Sequence, residues 1–414
     1  MTDDVRLRRG RGALGFSFFV QGVTFALLVT RIPAIQDRYG ISDGLLPAFL
    51  AAVPVLAGVS SVATEHLVKR VAPSVVLRWA QPVVLLALLG VGAGSRMWHV
   101  AVALGVFGLA VGALDASMNM LGVSLQRAYG RSIMLGFHAA YSLGGIVGAS
   151  AAWAGAHWHL ELFTGYLPAV VLLLPSALAA SRYYADVRGA GEGAGDAEAG
   201  RQGWPERGGR LLLPLCLVMA CAYIGDSTVA NWSAKYLQDV LGSSEQLSTV
   251  PYNVYMVTTL VGRAVGDLGV RRFGAAAVVR CGAVVAAGGF AVVAAAPGAW
   301  TGMLGFTLLG IGLCVIVPQT FAAAGRLFPN ASDTAVARLN IFNYVGFLIG
   351  SPLVGGIGDA WNYRGAMLVP MALVLVTLVH ARSFGTADKA RYGVRHERRA
   401  GDRAVDVGRG GNEV

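Results

Sequence analysis

Long apolar segments dominate the chain, and short polar segments separate them. Each apolar segment is close to the roughly 20 residues that a helix needs to cross a bilayer. The pattern predicts an all-α membrane protein with twelve transmembrane helices in two six-helix bundles. The predicted helices are residues 13–36, 44–68, 74–94, 98–126, 133–156 and 162–184, then 210–238, 247–268, 273–295, 300–326, 335–357 and 363–383.

The polar segments divide the chain into four parts. Residues 1–185 form the predicted N-terminal bundle and residues 210–384 the C-terminal bundle. Between them, residues 186–209 are rich in Gly, Ala and charge, which predicts a flexible cytoplasmic linker. Residues 385–414 are polar enough to predict a disordered cytoplasmic tail. Overall, 55% of the residues are hydrophobic and 14% are charged, a composition that excludes an ordinary soluble protein.

An internal repeat relates the two predicted bundles. The segment Ile35-Gln36-Asp37 recurs as Leu237-Gln238-Asp239, a shift of 202 residues. The same shift maps Glu65 to Asp267, Lys69 to Arg271, Arg70 to Arg272, Gly144 to Gly346 and Gly148 to Gly350. Such a repeat predicts two parallel halves related by an axis along the membrane normal.

The net charge of +10 follows the predicted topology. Basic residues concentrate before the first helix, in the central linker, after the last helix and in alternate loops. The positive-inside rule therefore places both termini in the cytoplasm and the chain in the cytoplasmic (inner) membrane, without a role in nucleic-acid binding. The four cysteines fall in apolar segments without neighbouring ligand residues, so they are expected to be core residues and no metal site is predicted.

Ionisable residues inside the apolar segments are the candidate chemistry. Asp115 and Asn119 are four residues apart in the predicted fourth helix and share a face. His138 lies at a similar depth in the fifth helix, where a direct contact or one water molecule would join it to Asp115. Asp226 lies within the seventh helix. Because a charge at the bilayer centre costs roughly 2.5–3.5 kcal/mol, we expect Asp115, His138 and Asp226 to couple protons. A structural Asp–Asn pair, and a helix-interior hydrogen bond for Asp226, are the alternatives.

Neutral polar residues are expected to complete a solute site between the bundles. The candidates are Gln21, Asn119, Tyr141, Asn231, Trp232, Tyr252, Asn253, Gln319, Asn340 and Asn343. Among them Asn340 is preferred because it is the repeat equivalent of His138. The alternative is that several of these residues only hold helices together.

One loop motif resembles a known family. The segment from Gly262 to Gly274, with the sequence GRAVGDLGVRRFG, resembles the loop motif of the major facilitator superfamily. The resemblance implies a cytoplasmic charge network that closes one conformation. The residues expected in this network are Glu65, Lys69, Arg70, Arg263, Asp267, Arg271 and Arg272. Ordinary positive-inside anchoring is the alternative for Arg271 and Arg272.

Two further segments are similar to the fucose permease type of proton symporter. They are Leu114-Asp115-Ala116-Ser117-Met118-Asn119 and Phe137-His138-Ala139-Ala140-Tyr141-Ser142-Leu143-Gly144. In that family the fourth helix carries an acid near an Asn. Here the acid is Asp rather than Glu, and His138 takes the polar position of the fifth helix.

These features predict a monomeric secondary transporter of a small polar solute, sugar-like or another metabolite, that works by alternating access and is not an enzyme. The sequence has no Walker motif, so we expect the proton gradient to supply the energy and no cofactor to be needed. A proton-coupled exporter of drugs or natural products is the alternative, although the fifth helix lacks the proline of the usual Gly-Pro motif. A membrane sensor or intramembrane enzyme is disfavoured because no output domain or nucleophile with an adjacent base is visible.

Overall fold

The computed structural model describes residues 3–42, 45–185, 208–244, 247 and 250–385, which form helices and short turns without any strand. The predicted linker and tail lie almost entirely outside the described residues. In the N-terminal half the helices are α1 (Asp3–Thr30), α2 (Ile32–Tyr39), α3 (Leu46–Leu67), α4 (Pro73–Ala93), α5 (Met97–Tyr129), α6 (Met134–His157) and α7 (Leu162–Ser181). In the C-terminal half they are α8 (Gly208–Lys235), α9 (Val250–Phe273), α10 (Ala275–Ala295), α11 (Ala299–Leu313), α12 (Ile316–Leu327), α13 (Ser332–Ala360), α14 (Tyr363–Ala366) and α15 (Leu368–His380).

The predicted all-α membrane fold is confirmed. Within the described residues, nine helical segments are long and apolar enough to cross a membrane, with α11 and α12 forming one of them and α14 and α15 another. Helices α3, α6 and α9 occupy the other three predicted positions. Helix α9 has the length of a span but carries four charged residues, Arg263, Asp267, Arg271 and Arg272, which lower its hydropathy.

Three predicted helices are broken in the structure. Predicted helix 13–36 divides at Arg31 into α1 and α2, and predicted helix 363–383 divides at Met367 into α14 and α15.

Predicted helix 300–326 is the third. Helix α11 ends at Leu313, and α12 begins at Ile316 after a two-residue turn. Pro318 explains the break, because proline has no N–H and its ring clashes with the carbonyl four residues earlier, here that of Cys314. The Cys314 carbonyl is therefore available to a partner outside its own helix.

Helix packing repeats between the halves. In the N-terminal half α1 packs on α6 and α4 on α7, and the equivalent pairs in the C-terminal half are α8 with α13 and α10 with α15. The most extensive contacts between the halves are those of α3 with α13 and of α6 with α9, and α5 also packs on α13. The interface thus has the same symmetry as the sequence repeat.

The repeated glycines allow close helix contact in both halves. A Cβ atom on Gly148 would collide with the carbonyl oxygen of Val23 in α1, and one on Gly346 with that of Ala220 in α8. Close packing through small residues therefore occurs at α1–α6 and again at α8–α13.

The outer surface is apolar and carries exposed tryptophans near helix ends, as expected for a membrane belt. These are Trp79, Trp98, Trp153, Trp158, Trp300 and Trp361. The prediction of four core cysteines is wrong for Cys281, which is exposed on α10, whereas the other three are buried.

Candidate functional site

Asp115 lies between the two halves of the molecule. It is fourteen residues from the end of α5 at Tyr129, a rise of about 21 Å that places it near the middle of the bundle. Gln21 Nε2 of α1 donates to its Oδ1 (2.5 Å), and the Tyr344 hydroxyl of α13 donates to its Oδ2 (2.6 Å). The carboxylate therefore accepts one hydrogen bond from each half, and part of its surface stays accessible.

A short network of amides extends from this carboxylate. Asn343 is within hydrogen-bonding reach of Asp115, and its Nδ2 donates to Asn340 Oδ1 (3.1 Å). Asn340 Nδ2 then donates to Ser61 Oγ of α3 (3.0 Å). Asn340 and Asn343 are both buried, so the network joins α5, α13 and α3 in the interior of the interface.

Asp226 is the second acid between the halves, and it belongs to α8. It is eighteen residues from Gly208, about 27 Å along the helix, and it accepts a hydrogen bond from the Tyr255 hydroxyl of α9. Tyr252, stacked on Tyr255 at 6.3 Å between ring centroids, and the neighbouring Asn253 are exposed. The hydrogen bond described for this carboxylate, from Tyr255, lies within the C-terminal half.

Arg263 lies inside α9, ten residues before the helix ends at Phe273. The predicted eighth helix, 247–268, already contains Arg263, and in the structure this helix continues to Phe273, so the whole charged part of the motif is helical. Its Nη1 donates to Ser142 Oγ of α6 (2.7 Å), and its Nε donates to the Cys314 carbonyl (3.4 Å), which the Pro318 break leaves available. Arg263 therefore places a cation between the halves. An intramembrane charge costs roughly 2.5–3.5 kcal/mol unless it is compensated, so Arg263 is a candidate functional residue.

His138 has a different environment from the one that the sequence predicts. Its ring packs against Phe18 and Phe321, at 5.3 and 6.2 Å between centroids, and its Nε2 has no hydrogen-bond partner. The hydrogen bonds of the Asp115 carboxylate come from Gln21 and Tyr344 rather than from His138. The expected pairing of these two residues is absent from the described contacts.

The two repeat-related amides, Asn119 and Gln319, are buried and lie away from the acids. Asn119 Nδ2 donates to the backbone carbonyl of Asp115 (2.9 Å), not to its carboxylate. Gln319 is near Ser132, with 3.5 Å between Nε2 and Oγ. The Oδ1 of Asn119 and the Oε1 of Gln319 have no hydrogen-bond partner.

Asn231 and Trp232 are held within the C-terminal half. Asn231 is exposed, and its Nδ2 donates to the Ser227 carbonyl (2.9 Å). The indole N–H of Trp232 donates to the Ser351 carbonyl of α13 (3.1 Å). At 100° per residue, Trp232 also points about 120° away from Asp226 around α8. The structure therefore does not bring Trp232 to the two acids.

One end of the bundle carries most of the basic loop residues and is called the basic end. It is defined by Arg127, Arg131, Arg271, Arg272, Arg326 and Arg338. Here Glu65 of α3 forms a two-pronged ion pair with Arg338 of α13. Arg338 Nη2 and Nε lie 2.9 and 3.1 Å from Glu65 Oε1, and Nε lies 3.2 Å from Oε2. This contact joins the two halves.

A second acid joins the halves at the basic end. Asp267 of α9 accepts a hydrogen bond from the Ser132 hydroxyl (2.5 Å) and another from the Gly136 backbone N–H in the first turn of α6 (3.0 Å). A shift of 202 residues relates Glu65 to Asp267 and also relates Gly136 to Arg338. The two contacts are therefore equivalent positions of the repeat, one made by a side-chain cation and the other by backbone.

The other residues predicted for the charge network divide into two groups. Arg271 donates from Nε and Nη2 to the Ser132 carbonyl (3.1 and 2.6 Å), so it crosses between the halves. Lys69, Arg70 and Arg272 are exposed at helix ends. Positive-inside anchoring is a sufficient explanation for these three.

Sequence reasoning missed several contacts between the halves. Arg127 donates to the carbonyls of Gly325 (3.0 Å) and Pro329 (2.9 Å), and Ser142 receives Arg263. Tyr344 was recognisable as the residue one turn beyond Asn340, on the same face of the helix. The sequence does not indicate the role of Arg127, because an arginine in the last turn of a helix can either anchor the helix at the membrane surface or bind across the interface.

Two helical bundles related by an internal repeat, with acids in apolar helices, form an architecture that many transporters share. Residues 215–406 match the sequence model of the Major Facilitator Superfamily. An uncharacterised MFS-type transporter of Yersinia pestis is 29% identical over 376 residues, which cover 89% of this chain and 94% of that protein. Residues 215–406 are therefore similar to the Major Facilitator Superfamily, and most of the chain is similar to an MFS-type transporter.

Solved structures share the fold at low sequence identity. The outward conformation of the transporter FucP matches with a TM-score of 0.75 and 16% identity, over 90% of this chain and 97% of FucP. The human organic anion transporter MFSD10 (TETRAN) also has a TM-score of 0.75, with 14% identity over 91% of this chain and 99% of that protein. At these identities the similarity concerns the fold.

Proposed function

We propose that this transporter moves a small polar solute together with protons, and that Asp115 carries the proton. The observation that supports this most directly is the position of its carboxylate, which accepts from Gln21 in one half and from Tyr344 in the other. Protonation removes the negative charge that strengthens both hydrogen bonds. The charge state of one residue would therefore set how strongly the two halves are joined near the middle of the bundle.

Alternating access follows from the contacts at the basic end. If this end is cytoplasmic, as the positive-inside rule predicts, the present structure corresponds to the outward-facing state. The pairs at Glu65 and Asp267 hold that state. Opening toward the cytoplasm requires both pairs to separate and the halves to rock about the central acids.

The solute class is proposed from the side chains around the acids. Tyrosine hydroxyls, amides and two carboxylates suit a ligand with several hydrogen-bonding groups, such as a sugar-like metabolite. FucP is a fucose:proton symporter of Escherichia coli, and another solved structure with this fold is a proton:xylose symporter, XylE. MFSD10 is an organic anion transporter, so the fold accommodates neutral and charged solutes.

The test uses proteoliposomes that contain the purified protein and a pH-sensitive dye. Sugars, polyols, sugar acids and amino acids are added outside under an inward proton gradient. We expect at least one solute to acidify the interior. Asp115→Asn should abolish this acidification and uphill accumulation while still exchanging labelled solute across the membrane. Asp359→Asn, which changes an exposed carboxylate at the end of α13, is the matched control and should behave like the wild type.

Two outcomes would contradict the proposal. Uphill accumulation by the Asp115→Asn variant would remove Asp115 from proton coupling. Internal alkalinisation coupled to solute movement in the opposite direction, together with antibiotic resistance of expressing cells, would instead identify a proton-coupled exporter.

A further inference from the structure

Arg263 is a cation between the halves whose hydrogen-bonding capacity is only partly used. A guanidinium has five N–H groups. Two of them have acceptors here, the Ser142 hydroxyl and the Cys314 carbonyl, and both acceptors are neutral. No carboxylate of the described residues lies within 4.0 Å of Arg263. Its Nη2 has no protein partner and is not fully buried, so that edge of the guanidinium is accessible to a ligand.

The surroundings of Arg263 suit an anionic group. One face of α9 carries a polar residue every four positions: Tyr255, Thr259, Arg263 and Asp267. This face runs from Tyr255, which donates to Asp226, to Asp267 at the basic end. Tyr141 directly precedes Ser142, which accepts the hydrogen bond from Arg263, and Tyr252 lies on the same helix as Arg263. Neither tyrosine hydroxyl has a hydrogen-bond partner among the described residues, which leaves both as possible donors to the same ligand. A carboxylate fits the planar fork of a guanidinium, and phenol hydroxyls donate to its remaining lone pairs.

We propose that Arg263 binds a carboxylate group on the transported solute. The solute class is then a small hydroxylated organic acid, such as a sugar acid, rather than a neutral sugar. This inference rests on the proposed function because it places the solute at the same site. The carboxylate lies at the Arg263 side chain, and the polar groups of the solute extend toward Asp115 and Asp226.

Arg263 also joins α9 to α6 through Ser142, so a purely structural role is the competing explanation. If Arg263 has only a structural role, its substitution should change the binding of all solutes to the same extent. A carboxylate-binding residue discriminates between an acid and its uncharged counterpart. The experiment therefore needs solute pairs that differ only in the carboxylate.

The purified full-length protein is titrated in thermal-shift assays with four matched pairs: glucuronate and glucose, galacturonate and galactose, gluconate and sorbitol, lactate and propane-1,2-diol. We expect a carboxylate-bearing member to raise the melting temperature by about 2 °C or more at saturation, and its uncharged partner to have no effect. Arg263→Gln should weaken binding of that acid about tenfold to a hundredfold, the usual loss for a charge-assisted hydrogen bond. Arg263→Lys keeps the charge but not the fork, and should lie between the two.

Arg280→Gln is the control, because Arg280 is an exposed arginine on α10 and the chemical change is the same. It should bind the acid as the wild type does. The inference is overturned if no carboxylate-bearing member raises the melting temperature, or if the acid binds Arg263→Gln and Arg263→Lys with unchanged affinity. Arg263→Lys also keeps the test decisive if Arg263→Gln does not fold.

Failure of this inference can be told apart from failure of the proposed function. Proton-linked uptake of the neutral members alone would leave proton-coupled transport in place and overturn the carboxylate site. Arg263-dependent binding of an acid without proton movement would support the carboxylate site and contradict the proton coupling at Asp115.

Discussion

The ion pair between Glu65 and Arg338 is expected to control which state of the transporter is populated. The Glu65 side chain is 7% exposed and that of Arg338 is 36% exposed, so the pair is half-buried. Losing one partner of a fully buried pair costs about 3–5 kcal/mol, and a surface pair contributes about 0–1 kcal/mol. With three short nitrogen–oxygen contacts and partial exposure, we expect Glu65→Gln to cost about 2 kcal/mol.

This free energy acts on the conformational equilibrium, because the two residues belong to different halves and separate when the basic end opens. About 1.4 kcal/mol corresponds to a factor of ten, so the ratio of closed to open basic end should fall by about thirtyfold. Arg338→Gln should have a larger effect than Glu65→Gln, because it leaves the more deeply buried member, Glu65, without its cation.

Distances between spin labels measure this ratio. Labels at Lys69→Cys and Arg272→Cys place one probe on each half at the basic end, and Cys281→Ser removes the exposed native cysteine. Glu161→Gln is the matched control, because its pair with Arg38 lies within the N-terminal half and the Glu161 side chain is 75% exposed. A change of less than about threefold in Glu65→Gln, or an equal change in Glu161→Gln, would refute the reasoning.

Two further predictions concern residues around the interface. Gly148→Val should lower the melting temperature strongly, because its side chain would collide with the α1 backbone at Val23, whereas Gly58→Ala, at a position with open space, should be neutral in the same thermal assay. Trp232→Phe should lower the free energy of unfolding by about 1 kcal/mol through loss of the indole hydrogen bond, while solute affinity measured by titration stays unchanged. A severalfold loss of solute affinity in the Trp232→Phe variant would show that Trp232 belongs to the solute site.

The fold was accessible from the sequence because the bilayer imposes its length on every helix, and because the repeat relates one half to the other. The repeated glycines were also informative in the sequence, because a residue without a side chain lets two helices approach closely, as Gly148 and Gly346 do. The break at Pro318 was also readable, since the carbonyl displaced by a proline lies four residues before it. The apolar segment 300–326 is otherwise continuous, so hydropathy alone predicts a single helix there.

The site was less predictable, because pairing between side chains depends on how the halves meet. Asp115 stood out as a charge in an apolar helix, but nothing along the chain indicated that Gln21 and Tyr344 would be its partners. Arg263 was recognisable as part of a motif and of a predicted helix, but the sequence did not indicate that Ser142 and the Cys314 carbonyl would be its partners. His138 and Asp115 have similar depths in adjacent helices, and yet depth does not determine which way either side chain points.

The two repeat-related contacts at the basic end differ in a way that affects how the transporter responds to its surroundings. Glu65 pairs with a guanidinium that is partly exposed to solvent. The strength of this ion pair should therefore depend on the salt concentration on that side of the membrane. Asp267 meets a backbone N–H of α6, which no side-chain substitution at Gly136 except proline removes. One contact is therefore adjustable by ionic conditions and by mutation of either partner. The other can be weakened by mutation of Asp267 or Ser132, but its backbone hydrogen bond remains as long as Asp267 is present.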